Sequence, residues 1–308
     1  ANHSRVCVDL HEANFPASTP MRAGCRNVCQ DLHLFNHAAM DVHDLLLASP
    51  VCRVNSAASR PARAKAAAAM KAKDPTKARQ GSSLAASHNA MRALPWAVLD
   101  ALEVNRPRFF ALENVPEWAT DWELYGDFLR MLRRLGYKVT EQILNSERWG
   151  VAQARERLFV IGTLGRKPIR VHDPKRFTVT PMAECVDWPG GVWMDFGECQ
   201  WPKMRAQLER AHEVFGGAPC FINLVGHRPV YDANRTLLTA TRQDQFRWVH
   251  RGRYRYPTAR EGFNLMGFPR EYVIPDAVAE TRTVAWSMAG DAVCPPVMRG
   301  IVERIRDA

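Results

Sequence analysis

The sequence predicts an α/β protein built on a doubly wound, mostly parallel sheet, with a smaller irregular domain attached. Three observations carry this. Short, strongly apolar runs of strand length recur along residues 1–165 ("LLLA", "RFFALENV", "LFVIGT"), with helically spaced segments between them. Strands joined through helices pair in parallel and are buried on both faces. After Gly165 this alternation gives way to a stretch rich in Trp, Pro and Gly over 166–232. The 308 residues suit one large domain and one smaller one, and 46% apolar content can build a sizeable core.

The elements follow in order. Val6, Leu10 and Ala13 have helical spacing, and "NFPASTP" ends that helix with two prolines. A short strand is expected around Asn27 to Cys29, leading to Asp31. Leu45 to Ala48 reads as a buried strand. Pro95 is expected to open a helix through Trp96, Leu99 and Leu102, since proline suits a first turn. Arg108 to Val115 forms a second buried strand, ending in Glu113-Asn114. One long helix is expected next, with Trp122, Tyr125, Phe128, Leu129 and Leu132 on one face and Gly136 as its stop. Strands at 138–144 and 158–163 complete the alternation. The expected domains are 1–165, an irregular 166–232, and a closing segment 233–308. That last segment ends in a helix opened by Pro295-Pro296 and returns to the large domain.

The chain carries a net charge of +10. From Arg53 to Arg92 there are nine Lys/Arg against the single acid Asp74, a local excess of +8. Such a segment is either a solvated helix face or a surface that meets phosphates. No apolar run is long enough for a membrane span. The N-terminus has no signal-peptide pattern, which points to the cytoplasm. None of the eight cysteines forms a Cys-x-x-Cys pair, and no metal site is expected.

In a doubly wound sheet, ligands and reacting groups gather at the carboxyl ends of the strands. Three sets fall there: Cys52, the Glu113-Asn114 pair, and Gln153, Arg155 and Arg157 of "QARER". Taken singly, a thiol is more often core and a strand-end glutamate more often a cap. Together, "SPVC", "ALENVPEW" and "WGVAQARERLFVIG" resemble the ordered motifs of the DNA cytosine-5 methyltransferases. "NRTLLTATR", "REGFNLMGFPREYVIP" and "AGDAVCPPV" resemble that family's later motifs, and "CQDL" its third. The resemblance covers nearly the whole chain except 166–232, where the family keeps its variable target-recognition domain.

The resemblance implies the fold of S-adenosylmethionine-dependent methyltransferases and transfer of a methyl group to C5 of a flipped-out cytosine. C5 is a weak nucleophile until a thiolate adds at C6. Cys52 takes that role by resemblance. Glu113 takes the role of a proton-bearing carboxyl, kept so by burial, that neutralises charge at N3. Arg155 and Arg157 would orient base and nucleophile with forked, permanently charged groups. S-adenosylmethionine would meet Asn2, Asp31, Pro50 and Asp291. DNA would meet Arg53, Ser56, Arg60, Arg63, Lys65 and Gln153. The implied partners are double-stranded DNA and a cognate restriction endonuclease, with the enzyme a monomer.

The chain departs from the family pattern at Asn2 (an acid elsewhere), Val51 (Pro), Arg53 (Gln or Asn) and Asp291 (Asn). The family's opening strand and turn, Phe-x-Gly-x-Gly-Gly, would precede Ala1, so the chain is expected to start near the second motif. Two alternatives stand beside the main reading: a DNA-binding relative with impaired catalysis, and an RNA-modifying enzyme of the same fold.

Overall fold

The computed structural model describes residues 2, 4–16, 28–50, 64, 68–71, 74–224, 230–232, 237–238, 246–280 and 282–308. Cys52, Arg53, Ser56, Arg60, Arg63 and Lys65 lie outside the described residues.

The large unit begins with α1 (Arg5–Asn14) and β1 (Leu45–Ala48). Next come α2 (Pro75–Asn105), β2 (Phe109–Asn114), α3 (Trp118–Asp121), α4 (Tyr125–Arg134) and β3 (Tyr137–Asn145). The short β4 (Gln153–Ala154) precedes β5 (Glu156–Leu164). The main sheet has the order β1-β2-β5-β3. β1 and β2 are parallel, and β5 runs antiparallel to both β2 and β3. Three strands therefore share one direction and β5 opposes them. The expected alternation breaks at this one place for a physical reason. Only a turn and β4 separate β3 from β5, and a connection that short can join only antiparallel neighbours.

All six residues of β2 are buried, and they alternate between two cores. Phe110 and Leu112 face α2 and α4, packing with Leu102, Phe128, Leu132 and Trp118. Phe109 and Ala111 face the other side, with Leu10 of α1 and Phe263, Ile301 and Ile305 from the C-terminal part. This two-sided cover is what the unbroken apolar run "FFAL" encodes. Gly162 sits opposite Phe110 in the register, and a Cβ there would lie 2.0 Å from the phenyl ring, so no larger residue fits.

Three local expectations are corrected. Pro95 does not open a helix. It lies inside the 31-residue α2, which starts at Pro75 after Asp74 caps the Thr76 N–H at 2.8 Å. The Ala-rich run ahead of Pro95 favours helix strongly enough to override one lost donor. The single long helix after β2 is two helices, because Trp122 is extended (φ −99°, ψ 108°). That break lets its ring stack on Trp118 at 5.4 Å. Among the described residues, the strand expected near Cys29 is one parallel bridge with Asn2. Gly136 does end α4, in the left-handed region at φ +89°.

The segment expected to be irregular holds regular structure. β6 (Met194–Asp195), α5 (Pro202–Val214), β7 (Cys220–Asn223) and β8 (Val230–Asp232) lie within it. After β9 (Leu237–Leu238) come β10 (Phe246–His250) and β11 (Arg253–Arg255). These build an antiparallel sheet of order β6-β11-β10-β7-β8. The sheet thus continues past residue 232 to Arg255. Pairing across a long sequence separation, here β10 with β7, leaves no local periodicity to read. One face packs on α5 through Leu208, Ile222 and Val249. The other packs Phe221, Phe246 and Trp248 against Leu265 and Trp286. Those two belong to α6 (Ala259–Leu265) and α8 (Arg282–Asp291). Between them lies α7 (Asp276–Ala279), and α9 (Pro295–Arg306) closes the chain as expected.

Candidate active site

The parallel pairing of β1 and β2 brings Ser49, Pro50, Glu113 and Asn114 to one end of the sheet. Glu113 is buried, yet both carboxylate oxygens are engaged. The Ser49 hydroxyl donates to Oε2 at 2.6 Å, and the Arg157 guanidinium meets Oε1 at 3.0 Å. β5 supplies that arginine because it runs antiparallel: Asn114 pairs with Leu158, so Arg157 falls just past the tip of β2. Asn114 is buried too. Its Nδ2 donates to the Pro50 carbonyl at 3.2 Å, and its Oδ1 accepts from the Val115 N–H at 2.9 Å. Two bonds therefore tie the tip of β2 to the segment that leads toward position 52.

Gln153 and Arg155 come from the turn between β3 and β5. Ser146 shapes it: its hydroxyl donates to the Gln153 carbonyl and accepts from the Arg155 N–H at 3.1 Å. Both side chains are buried, Gln153 at 1% and Arg155 at 3% exposure, which is rare for such groups away from a site. Gln153 Oε1 has no hydrogen-bond partner among the described residues. Arg155 Nη2 donates to the Ala292 carbonyl at 3.3 Å, joining this turn to the "GDAVC" segment after α8. β4 pairs in parallel with β9, Gln153 opposite Leu237 and Ala154 opposite Leu238.

The structure thus brings Glu113 and Arg157 into direct contact and binds Arg155 to the closing segment. Asn2 and Asp31 lie elsewhere. The Asn2–Cys29 bridge places them in one exposed neighbourhood, with Asn2 Oδ1 accepting from Ser4 N at 2.8 Å and Asp31 Oδ1 from His33 N at 2.9 Å. An exposed amide and an exposed carboxylate suit the hydroxyl and amino groups of a nucleoside. Asp291 is exposed at the end of α8, beside Ala292.

Sequence reasoning missed Ser49, although "SPVC" contains it, because nothing local signals a bond to a residue 64 positions away. It also missed Cys294. Burial pushes this thiol up to about 11, against the pull of the Val297 N–H and Arg155, while Glu113 pushes it further up. It therefore lies within electrostatic reach of both site residues.

The model of C-5 cytosine-specific DNA methylases matches residues 4–185 and 198–307. The chain belongs to this family. M.NlaX of Neisseria lactamica, a Type II methyltransferase, is 23% identical over 226 residues, covering 67% of this chain and 65% of that protein. M.BanI of Aneurinibacillus aneurinilyticus, also a Type II methyltransferase, is 41% identical over 69 residues, 22% of this chain and 16% of that protein. The chain thus spans less than two thirds of these relatives' lengths. Among solved structures, the Dnmt2 methyltransferase of S. pombe aligns with a TM-score of 0.59 at 16% identity, over 100% of this chain and 89% of that one. The methyltransferase EhMeth of Entamoeba histolytica aligns at 0.56 and 15% identity, over 99% and 88%. These likenesses show the fold: the doubly wound α/β sheet with one reversed strand is shared with these methyltransferases. Among the described residues, no helix is long and apolar enough to cross a membrane.

Proposed function

We propose that the chain carries the catalytic machinery of a DNA cytosine-5 methyltransferase that acts on a cytosine turned out of the duplex. The observation that supports this most is the Glu113 carboxyl, buried at a strand tip yet held by Ser49 and Arg157 beside the segment that leads to Cys52. A flipped base costs a few kcal/mol of stacking and pairing, about the scale that a polar pocket can recover.

In this reading Cys52 forms a bond from its sulfur to C6, which makes C5 electron-rich. Glu113 delivers a proton at N3, so that the charge pushed into the ring is neutralised as the bond forms. Arg157 holds the Glu113 carboxyl in place, and Arg155, anchored on Ala292, orients the base. When bound, S-adenosylmethionine supplies a methyl group made electrophilic by its sulfonium. Asn2 and Asp31 would hold its nucleoside end, with Pro50 and Asp291 as further contacts. A base such as water then takes the C5 proton. The electron pair left behind re-forms the C5–C6 double bond as the C6–sulfur bond breaks to release the Cys52 thiolate, and the N3 proton returns to Glu113. The basic run containing Arg53, Arg60, Arg63 and Lys65, with Ser56, would grip phosphates, and Gln153 would border the base. The antiparallel sheet and its connections would read the target sequence, since base contacts specify where phosphate contacts position. Double-stranded DNA is the proposed substrate, a monomer the proposed state, and a restriction endonuclease of the same specificity the proposed companion.

The test uses the complete gene product, S-adenosylmethionine and duplex DNA with 5-fluorocytosine at the target. Fluorine cannot leave as a cation, so a denaturant-resistant protein–DNA adduct accumulates, and Cys52→Ala abolishes it. Methyl transfer to cytosine by Cys52→Ala would overturn the assignment. Transfer to RNA but not DNA would move the substrate to the other branch of the fold.

A further inference from the structure

We propose that Ser49 is a positioning residue for methyl transfer, its hydroxyl fixing the carboxyl of Glu113 in both of that group's protonation states. The inference rests on the reading of Glu113 as the acid that meets the pyrimidine. Ser49 sits one residue beyond β1, exposed at the mouth of the site, and donates to Glu113 Oε2 at 2.6 Å. Arg157 holds the opposite oxygen at 3.0 Å. These two neighbours differ chemically. A guanidinium only donates, so Oε1 must stay an acceptor, and a proton on Glu113 belongs on Oε2. A hydroxyl has one proton and two lone pairs, and it can rotate. Ser49 can therefore stay bonded to Oε2 whether that oxygen is bare or carries a proton. An arginine or an amide N–H in its place would oppose the proton-bearing form.

The bond is not needed to hold the strands together. β1 and β2 are already registered by four pairs, from Leu45 with Phe109 to Ala48 with Leu112, and Asn114 ties Pro50 independently. Among the described residues, the packing shows no other use for a hydroxyl at this exposed strand tip. The carboxyl it holds is the one that must be aimed, and misplacing an acid by about 1 Å can cost on the order of a hundredfold in rate.

The experiment compares Ser49→Ala and Ser49→Thr in the complete gene product, reading kcat, KM for duplex DNA and melting temperature. Ser49→Ala is expected to lower kcat by about tenfold or more, with KM and melting temperature close to wild type. Ser49→Thr, which keeps the hydroxyl, is expected to retain most of kcat. A wild-type kcat for Ser49→Ala, or a loss that Ser49→Thr fails to restore, would overturn the inference while leaving the proposed activity intact. A wild-type protein that neither methylates cytosine nor forms the 5-fluorocytosine adduct would instead overturn the proposed activity, and this inference with it.

Discussion

Among the described residues there are two largely buried Arg–Glu pairs, one beside each sheet, and they are built differently. Arg255 and Glu261 are 1% and 0% exposed. Arg255 meets both carboxylate oxygens, at 2.5 and 3.0 Å. Glu261 also accepts from Trp248 Nε1 at 3.0 Å, from the Thr258 N–H at 2.8 Å and from the Asp187 N–H at 3.0 Å. The guanidinium in turn donates to the carbonyls of Tyr256 and Asp187, and lies over the Trp193 ring at 4.8 Å. This knot fastens the antiparallel sheet to the start of α6. The Arg157–Glu113 pair is looser: one nitrogen on one oxygen, a serine on the other, and a guanidinium that is 14% exposed. A carboxylate with five donors has no capacity left for a ligand, whereas one with two still has lone pairs to offer. The first pair is built as a strut, and the second leaves a carboxyl free to meet a ligand, as the proposed function requires.

Breaking the strut should have the largest effect. Glu261→Gln leaves Arg255 without its counter-charge in a site with no water access, a change that costs about 3–5 kcal/mol. A large fall in melting temperature by calorimetry is expected, with activity lost only because folded protein is lost. The double change Arg255→Met with Glu261→Met should recover much of the stability, because apolar residues of similar size can replace a buried pair. A single variant that melts like wild type would show that the knot is not a strut.

Breaking the other pair should leave a folded protein that does not work. Glu113→Gln keeps the shape and a hydrogen-bond partner for Ser49 but removes the transferable proton. A fall in kcat of about 10²–10⁴ is expected, typical for loss of a general acid. The melting temperature should fall less than for Glu261→Gln, because Arg157 can still reach solvent and the Glu156 carbonyl, at 2.7 Å. If Glu113→Gln proved the less stable of the two, the contrast drawn between the pairs would be reversed.

The same contrast explains how much the sequence reveals. β2 was legible because burial on both faces writes an unbroken apolar run, and Glu113 was legible because it stands where that run stops. Arg155 and Arg157 could be picked out because charged residues inside "WGVAQARERLFVIG" conflict with an otherwise buried strand. Gly136 and Pro295-Pro296 marked helix ends through their own backbone limits. What stayed hidden depends on partners far away in the chain. β5 reverses direction because of a short connection, β10 pairs with a strand more than twenty residues earlier, and the Glu261 knot draws on Asp187, Trp248 and Arg255. Ser49 is the clearest case, since the role proposed for it lies in one bond and not in any pattern.

The smallest expected effect sharpens the comparison by pH. His250 lies on β10, its ring 5.4 Å from Trp188, and its pKa is lowered from 6.5. Burial is the main cause, Arg251 and His212 add to it, and a backbone bond with Gly217 works against it. Above the unfolded value of 6.5, His250 is neutral both folded and unfolded and contributes no pH dependence. As the pH falls below that value, the unfolded chain takes up the proton first, so stability declines until the folded histidine also titrates. Acid should therefore loosen the antiparallel sheet before the strand tips that carry Glu113, where no histidine stands among the described site residues. Tryptophan fluorescence melts over pH 5–7.5 should show a slope in wild type that His250→Gln flattens, the replacement being uncharged throughout. Equal slopes in the two proteins would remove His250 as the source.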